Sequence, residues 1–170
     1  MEVRRARPAD ASAVARVHVE TWQAAYVDVF GAERLAGIDT PGRERQALRL
    51  IESAEADVFV AVEDEGRIVG FAASGAAEDA PATRELHAIY VLPEAWGTGA
   101  GAGLLAASVA AMRARDATDA VLSVLEDNPR ARRFYEREGW RLDGTGEASF
   151  LGVTVPIARY RLILLALPEP

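Results

Sequence analysis

The stretch LHAIYVLPEAWGTGAGAGLLAASVAAM, residues 86–112, decides how the chain folds. Its first six residues, 86–91, are rich in β-branched and aromatic side chains and predict a buried strand. Beyond Pro93, the glycines Gly97, Gly99, Gly101 and Gly103 alternate with Thr98, Ala100 and Ala102, and then Leu104, Leu105, Val109 and Met112 recur at helical spacing. The pattern is strand, glycine-rich turn, helix. A helix begins with backbone N–H groups that lack intrahelical carbonyls, and its dipole places partial positive charge there. Glycines remove the β-carbons that would hold a phosphate away from those groups. Glycine also weakens a helix interior by roughly 1 kcal/mol per position, so four at one helix start call for a reason. The turn therefore reads as a diphosphate cradle held by main chain, since no lysine or arginine lies between Val91 and Met112. Tight helix packing is the plainer account of the same small residues.

Two phosphate-binding patterns can be compared with this turn directly. A nucleoside-triphosphate loop ends in Gly-Lys-Ser/Thr, and the chain contains no lysine. The dinucleotide fingerprint G-x-G-x-x-G/A is matched by Gly97, Gly99 and Ala102. That fingerprint expects a turn directly off a strand near the start of a repeated βαβ unit, whereas residues 92–96 intervene here and about half the usual partner sheet could follow. A dinucleotide-binding protein stands as an alternative on this match alone.

At 170 residues the sequence fits a single domain, residues 1–170, with enough chain for a real core. Half the residues are hydrophobic and 26% are charged, a soluble globular profile. No apolar run approaches the ~18 residues of a membrane span, and the start MEVRRARPAD has no apolar signal region, so a cytoplasmic location and no membrane partner are expected. Zero cysteines exclude disulfides, thiolate metal sites and cysteine nucleophiles. The two histidines lie far apart and no metal site is expected. A net charge of −7 argues against nucleic acid as a partner and favours a cationic acceptor such as an amine, although acidity also serves solubility.

Taken in order, residues 3–6 predict a first strand closed by Pro8, and Pro8 and Asp10 start a helix. On that helix His18, Trp22 and Tyr26 fall at i, i+4 and i+8 and share one face, as an aromatic core stripe or, for Trp22 and Tyr26, as part of a pocket. Residues 30–41 read as turns around a short apolar segment, and residues 44–53 as a second helix. VFVAV (58–62), EDEG (63–66) and RIVGFAAS (67–74) form a hairpin, and residues 75–83 read as a loop before the fourth strand at about Arg84. After the glycine helix, residues 120–125 predict a strand. Asn128 then caps a helix with Pro129 at its first position, ending near Gly139. Residues 140–142 start another strand, residues 143–149 read as loop, and residues 156–167 as a closing strand. This order, β-α-α-β-β-β-α-β-α-β-β, is mixed α/β.

Three stretches carry a family resemblance. IYVLPEAW followed by residues 96–101 resembles the coenzyme A motif of the GNAT superfamily of N-acetyltransferases, Gln/Arg-x-x-Gly-x-Gly/Ala after a strand ending in a Val-x-Pro-like turn, with Trp96 in the Gln/Arg position. NPRARRFYEREGW resembles the family's second motif, Asn-x-x-Ala-x-x-Phe-Tyr-x-x-x-Gly-Phe, with Trp140 in the final aromatic position. GVTVPIARYRLIL resembles the last strand of many bacterial members. The resemblance covers nearly the whole chain. It implies the GNAT acyl-CoA N-acyltransferase fold, a central mixed, mostly antiparallel sheet flanked by helices and splayed between strands 4 and 5.

The same resemblance implies acetyl-CoA as cofactor and direct attack by a primary amine in a ternary complex. The cofactor would be held by residues 89–91 (Ile89, Tyr90 and Val91), with Ile89 N–H serving the acetyl oxygen and Val91 the pantetheine arm. The turn of Gly97, Thr98, Gly99, Ala100, Gly101 and Ala102 would take the diphosphate, and Asn128 would touch the pantetheine or acetyl region besides capping its helix. Tyr135 would be the general acid for the departing sulfur, since a phenol with reference pKa near 10 is protonated at neutral pH; core packing against Phe134 is its other account. Glu85, directly or through water, is the first choice of base and His87 the second, two apart on one strand and so facing the same way; Glu85 as a solvated edge residue is the alternative. Trp22 and Tyr26, with the stretches 75–83 and 148–156, would shape the acceptor pocket. By analogy, the late strands offer a homodimer interface. A non-catalytic acyl-CoA-binding sensor or interaction module is the rival function.

Overall fold

A computed structural model describes residues 1–78 and 80–165. The chain runs through β1 (Glu2–Arg5), a 3-10 turn (Pro8–Asp10), α1 (Ala11–Ala25), α2 (Val27–Phe30), α3 (Ala32–Ala36), α4 (Thr40–Glu52), β2 (Asp57–Val62), β3 (Ile68–Ala77), β4 (Ala80–Val91), a second 3-10 turn (Pro93–Ala95), α5 (Ala100–Ala114), β5 (Asp119–Leu125), α6 (Pro129–Arg137), β6 (Arg141–Phe150) and β7 (Val153–Ile163). The strands form one mostly antiparallel sheet in the order β1-β2-β3-β4-β5-β7-β6, with β4 parallel to β5, which is the mixed α/β class expected. The β4–β5 ladder runs from Thr83↔Asp119 to Leu86↔Leu122, and both strands continue beyond it. Two compact units divide the chain: Met1–Ser74 with Ala88–Ser108, and Gly75–His87 with the residues from Val109 on.

In the first unit, β2 pairs antiparallel with β1 and β3, and all six of its residues are buried. Burial on both faces explains why DVFVAV shows an unbroken apolar run after its aspartate rather than alternation. That Asp57 is fully buried and accepts from Arg5 at 2.8 Å. The start of α1 is fixed by Asp10, whose carboxylate takes two bonds from Arg4 at 2.7 and 3.1 Å and one from the Arg7 amide at 2.7 Å. Those bonds hold the Asp10 carboxyl below the usual carboxylate range, with the Arg4 bond foremost. Asp39 caps α4 by accepting from Gly42 N–H at 3.0 Å. The helices α2, just ahead of the stretch read as turns, and α3, inside it, are too short for a helical period to show in the sequence.

The second unit is organised on β7, which pairs with β5 on one side and β6 on the other. Asp119 ties three strands together: it accepts from the Thr83 and Thr118 hydroxyls at 2.9 Å each and pairs with Arg161, which also bonds Asp143 at 3.0 Å. Two stretches expected as loops are largely strand among the described residues. Residues 75–83 extend the β3 and β4 arms to Ala77 and from Ala80, and residues 143–149 belong to β6. Gly144 and Gly146 made DGTGEAS look like a loop, but nine registered pairs with β7 override that weak local preference. The turn of this hairpin is only Leu151 and Gly152, at φ +50° and +76°, so the stretch 148–156 is a hairpin tip rather than an open loop. The expected end of the last strand at Leu167 lies outside the described residues. Among the described residues, no helix is long and apolar enough to cross a membrane.

Candidate functional site

The glycine turn in the first unit has the backbone the sequence asks for. Gly97 and Gly99 sit at φ +78° and +90°, the left-handed region that side chains disfavour, and a β-carbon on either would project into open space. The first ladder bond of α5 runs from Gly103 N–H to Gly99 O at 2.9 Å, so the N–H groups of Gly101 and Ala102 have no carbonyl within the helix. Ala100 N–H is braced at 3.4 Å by the Thr98 hydroxyl, which itself donates to Ala95 O at 2.7 Å. Thr98 thus stiffens the turn from within. Trp96, 42% exposed, donates its indole N–H to Val91 O at 2.8 Å and so ties the end of β4 to the turn.

On α1, His18, Trp22 and Tyr26 do share a face, although the helix ends at Ala25 and Tyr26 is its cap. The Trp22 ring lies 5.6 Å from His18, 5.4 Å from Tyr26 and 5.5 Å from Phe30, nearly parallel to the last. Tyr90, from β4, stacks on His18 at 5.0 Å and meets Phe71 edge-on at 5.6 Å. Trp22 is only 7% exposed, while His18, Tyr26 and Tyr90 are half-buried. Burial pushes His18 down to about 4, with the positive charge of Arg43 adding to the shift. Burial raises the Tyr90 phenol well above its ordinary value, and Tyr26 adds to this; a Trp22 hydrogen bond and Arg43 oppose it. Both rings are therefore neutral at physiological pH.

In the second unit, Glu85 and His87 lie on one face of β4 as the two-residue spacing predicts. Glu85 Oε2 is 3.9 Å from His87 Nδ1, and both side chains are partly exposed. Asn128 caps α6, its side-chain oxygen accepting from Ala131 N–H at 3.1 Å. Tyr135 is buried on α6, its ring 5.3 Å from Phe134, 6.2 Å from Trp140 and 6.4 Å from Tyr160. The Tyr160 hydroxyl donates to Glu136 at 2.7 Å and accepts from Arg132 at 3.1 Å, clamping the turn of α6 that carries Tyr135. Gly139, at φ +87°, ends that helix region, and the Trp140 N–H bonds Tyr135 O at 3.0 Å.

The first unit therefore holds residues 89–91, the glycine turn, Trp22 and Tyr26; the second holds Glu85, His87, Asn128 and Tyr135. Sequence reasoning gave no site role to His18, Arg43 or Tyr160, and it assigned Gly75 only as part of the stretch 75–83 bordering the acceptor pocket. His18 was visible on the aromatic stripe, whereas Arg43 stands in a run of charges, GRER, that carries no signal of its own. Among the described residues, no group of three or more His, Asp or Glu is placed to hold a metal ion.

Comparison with known proteins bears on this arrangement. The model of the acetyltransferase (GNAT) family matches residues 18–140, a span that includes the aromatic stripe, the glycine turn and Tyr135. The chain is 31% identical over 130 residues to the "Uncharacterized N-acetyltransferase YuaI" of Bacillus subtilis, covering 75% of this chain and 73% of that one. Among solved structures, the ribosomal-protein-alanine N-acetyltransferase of Brucella melitensis aligns with a TM-score of 0.79 at 23% identity, over 96% of this chain and 100% of that one. The yncA structure from Salmonella typhimurium, with its cofactor acetyl-CoA, aligns with a TM-score of 0.77 at 20% identity, over 100% and 97% of the two chains.

Proposed function

The chain belongs to the GNAT family of acetyltransferases, and on that premise we propose that residues 1–170 act as one domain that transfers the acetyl group of acetyl-CoA to a primary amine of a small molecule or peptide by direct attack. The observation that carries the reading is the bare turn ahead of α5. Gly97 and Gly99 are left-handed, a β-carbon on either would stand in open space, and the Gly101 and Ala102 amides lie at the positive end of a 15-residue helix; a diphosphate fits that chemistry. No arginine is needed at position 96, where Trp96 instead anchors the turn to Val91.

When bound, acetyl-CoA supplies an acetyl group activated as a thioester. The protein's part is to bind, orient and move protons. The main chain of Ile89, Tyr90 and Val91 holds the pantetheine arm and the acetyl oxygen, and Gly97, Gly99, Gly101 and Ala102 hold the diphosphate, with Thr98 and Ala100 fixing the turn. Asn128 adds a contact from the cap of α6. Glu85, directly or through water, accepts the proton of the attacking amine, with His87 beside it as the second acceptor. Tyr135, fixed by its ring packing, gives its proton to the leaving sulfur. Trp22 and Tyr26 border the acceptor. The homodimer through the late strands belongs to the same reading, and the exposed edge strand β6 supports it.

Calorimetric titration with acetyl-CoA and with NAD, followed by free-thiol release over a panel of amines, tests the proposal. Acetyl-CoA should bind and NAD should not, and Gly99→Val should weaken acetyl-CoA binding by at least 10-fold by filling the turn and straining its backbone. Binding of NAD in its place would restore the dinucleotide reading. Acetyl-CoA binding without thiol release on any amine would favour the non-catalytic module.

A further inference from the structure

β7 carries Ala158, Tyr160 and Leu162 on one face by their two-residue spacing, and Leu162 Cδ1 stands 3.9 Å from where a β-carbon on Gly139 would lie, so this face looks toward the end of α6. Tyr160 is its large residue, set in the middle strand of three, opposite Leu122 of β5 and Leu142 of β6, and fully buried. A phenol taken out of water needs a partner for its hydroxyl. This one has two, both charged and both on α6: it donates to Glu136 Oε1 at 2.7 Å and accepts from Arg132 Nε at 3.1 Å. The same arginine donates from Nη1 to Glu126 O at 3.2 Å, and Glu126 N–H returns to Pro156 O on β7 at 3.0 Å. The bonds run from β7 through α6 and back to β7.

Neither Arg132 nor Glu136 requires that hydroxyl for its own sake. Glu136 is exposed and Arg132 half-buried, so water can solvate both, and a phenylalanine at 160 would keep the ring that fills the core. What the hydroxyl adds is a fixed position. α6 has nine residues and, among those described, Tyr135 alone is buried, so little apolar packing resists a turn of the helix about its axis. Arg132 and Glu136 stand one turn apart on one side of it, and Tyr135 neighbours both, three residues from the first and next to the second. Two charge-assisted bonds to a single oxygen therefore hold the helix against sliding and against rotation. Side chains reach roughly 6 Å from a helix axis, so a rotation of about 10° carries a tip by about 1 Å, and a shift of that size can cost about 100-fold in rate. The Tyr160 ring, 6.4 Å from that of Tyr135, adds a wall beside it.

We propose that Tyr160 is a positioning residue for acetyl transfer: its hydroxyl, held between Arg132 and Glu136, fixes α6 so that the Tyr135 phenol stands where the leaving sulfur takes its proton. Tyr160 acts through Tyr135. This rests on the transferase reading above and on Tyr135 as its acid.

A double-mutant cycle tests it, reading kcat by thiol release on whichever of spermidine, lysine, phenethylamine and the peptide Ala-Ala turns over fastest. Tyr160→Phe should lower kcat by about 10-fold with the KM for acetyl-CoA unchanged. Added to Tyr135→Phe it should change kcat by less than about 2-fold, because the group it positions is already gone. Losses that multiply in the double variant would show that Tyr160 serves the fold at large and would overturn the proposal, as would an unaltered kcat in Tyr160→Phe. Glu136→Ala, at an exposed position, repeats the cycle with the Tyr160 ring in place and carries the test should Tyr160→Phe fold poorly. It should lose about as much and be silent in the Tyr135→Phe background, while Glu136→Gln, which keeps an acceptor for the phenol, should lose less; equal losses for alanine and glutamine would overturn the proposal. An unaltered kcat in Tyr135→Phe alone would strike the acid and the proposal together and leave the transferase standing. Failure of acetyl-CoA to bind, or of every amine to release thiol, would strike the transferase reading and the proposal with it.

Discussion

The His87 imidazole occupies the space that a side chain at position 75 would need. His87 Nε2 lies 2.8 Å, and Cδ2 3.3 Å, from where a β-carbon on Gly75 would stand. The side chain of His87 is 41% exposed, so its ring can swing outward rather than force the strands apart. Gly75→Ala should therefore move the imidazole while changing stability by no more than about 1 kcal/mol. If His87 supports the base, kcat falls by about 10-fold with the KM for acetyl-CoA unchanged. Steady-state kinetics beside a urea melt checks this, and an unaltered kcat would show the ring's position to be idle.

Glu85→Gln removes the carboxylate that stands 3.9 Å from His87. Turnover then depends on the fraction of acceptor amine already neutral, which grows with pH. The rate at pH 7 should drop by about 100-fold, and the deficit should shrink toward pH 9, moving the profile to higher pH. A profile that keeps its shape would assign the proton to His87 or to a water chain.

Tyr135→Phe keeps the ring among Phe134, Trp140 and Tyr160 and deletes only the hydroxyl. A thiolate with reference pKa near 8.5 is already a fair leaving group, so kcat should fall by about 10- to 100-fold, the low end of general-acid effects. Acetyl-CoA affinity should stay within about 2-fold. Calorimetry with rate measurements separates this from simple loss of packing.

His18 makes the protein acid-sensitive well above the range where carboxylates titrate. Its ordinary value of 6.5 is pushed down to about 4 in the fold, so the native ring stays neutral while the unfolded one gains a proton. The stability involved is fully present above about pH 6.5 and is lost as pH falls toward 4, by up to about 3 kcal/mol. His18→Phe preserves the stacking on Tyr90 and should flatten the fall in urea midpoint between pH 7 and pH 4.5. Asp10 and Asp119, whose carboxyls are held below their ordinary values, lose their contribution only at still lower pH.

What the sequence made legible is what backbone chemistry forces into composition. The alternating glycines at 97–103 announce their turn because only glycine tolerates φ +78° and +90°, and Asn128-Pro129 announces a helix start because few residues cap so well. The β2–β3 hairpin shows in its apolar runs. Less visible was structure imposed by partners: DGTGEAS has little strand preference of its own and becomes strand by pairing with β7, and residues 75–77 and 80–83 likewise prolong β3 and β4. Glu85 and His87 could be placed on one face from spacing alone. That Gly75 makes room for the imidazole depends on a contact between residues distant in sequence, which no local pattern records.

Of the three tryptophans, Trp22 and Trp140 are sealed at 7% and 2% exposure, while Trp96 stands in solvent with its indole fastened to the strand end beside the glycines. The protein thereby carries its own optical probe at the cofactor turn. Iodide should quench the red-edge emission of Trp96 alone, and filling the turn with coenzyme A should shield it, so occupancy can be followed by light without a label.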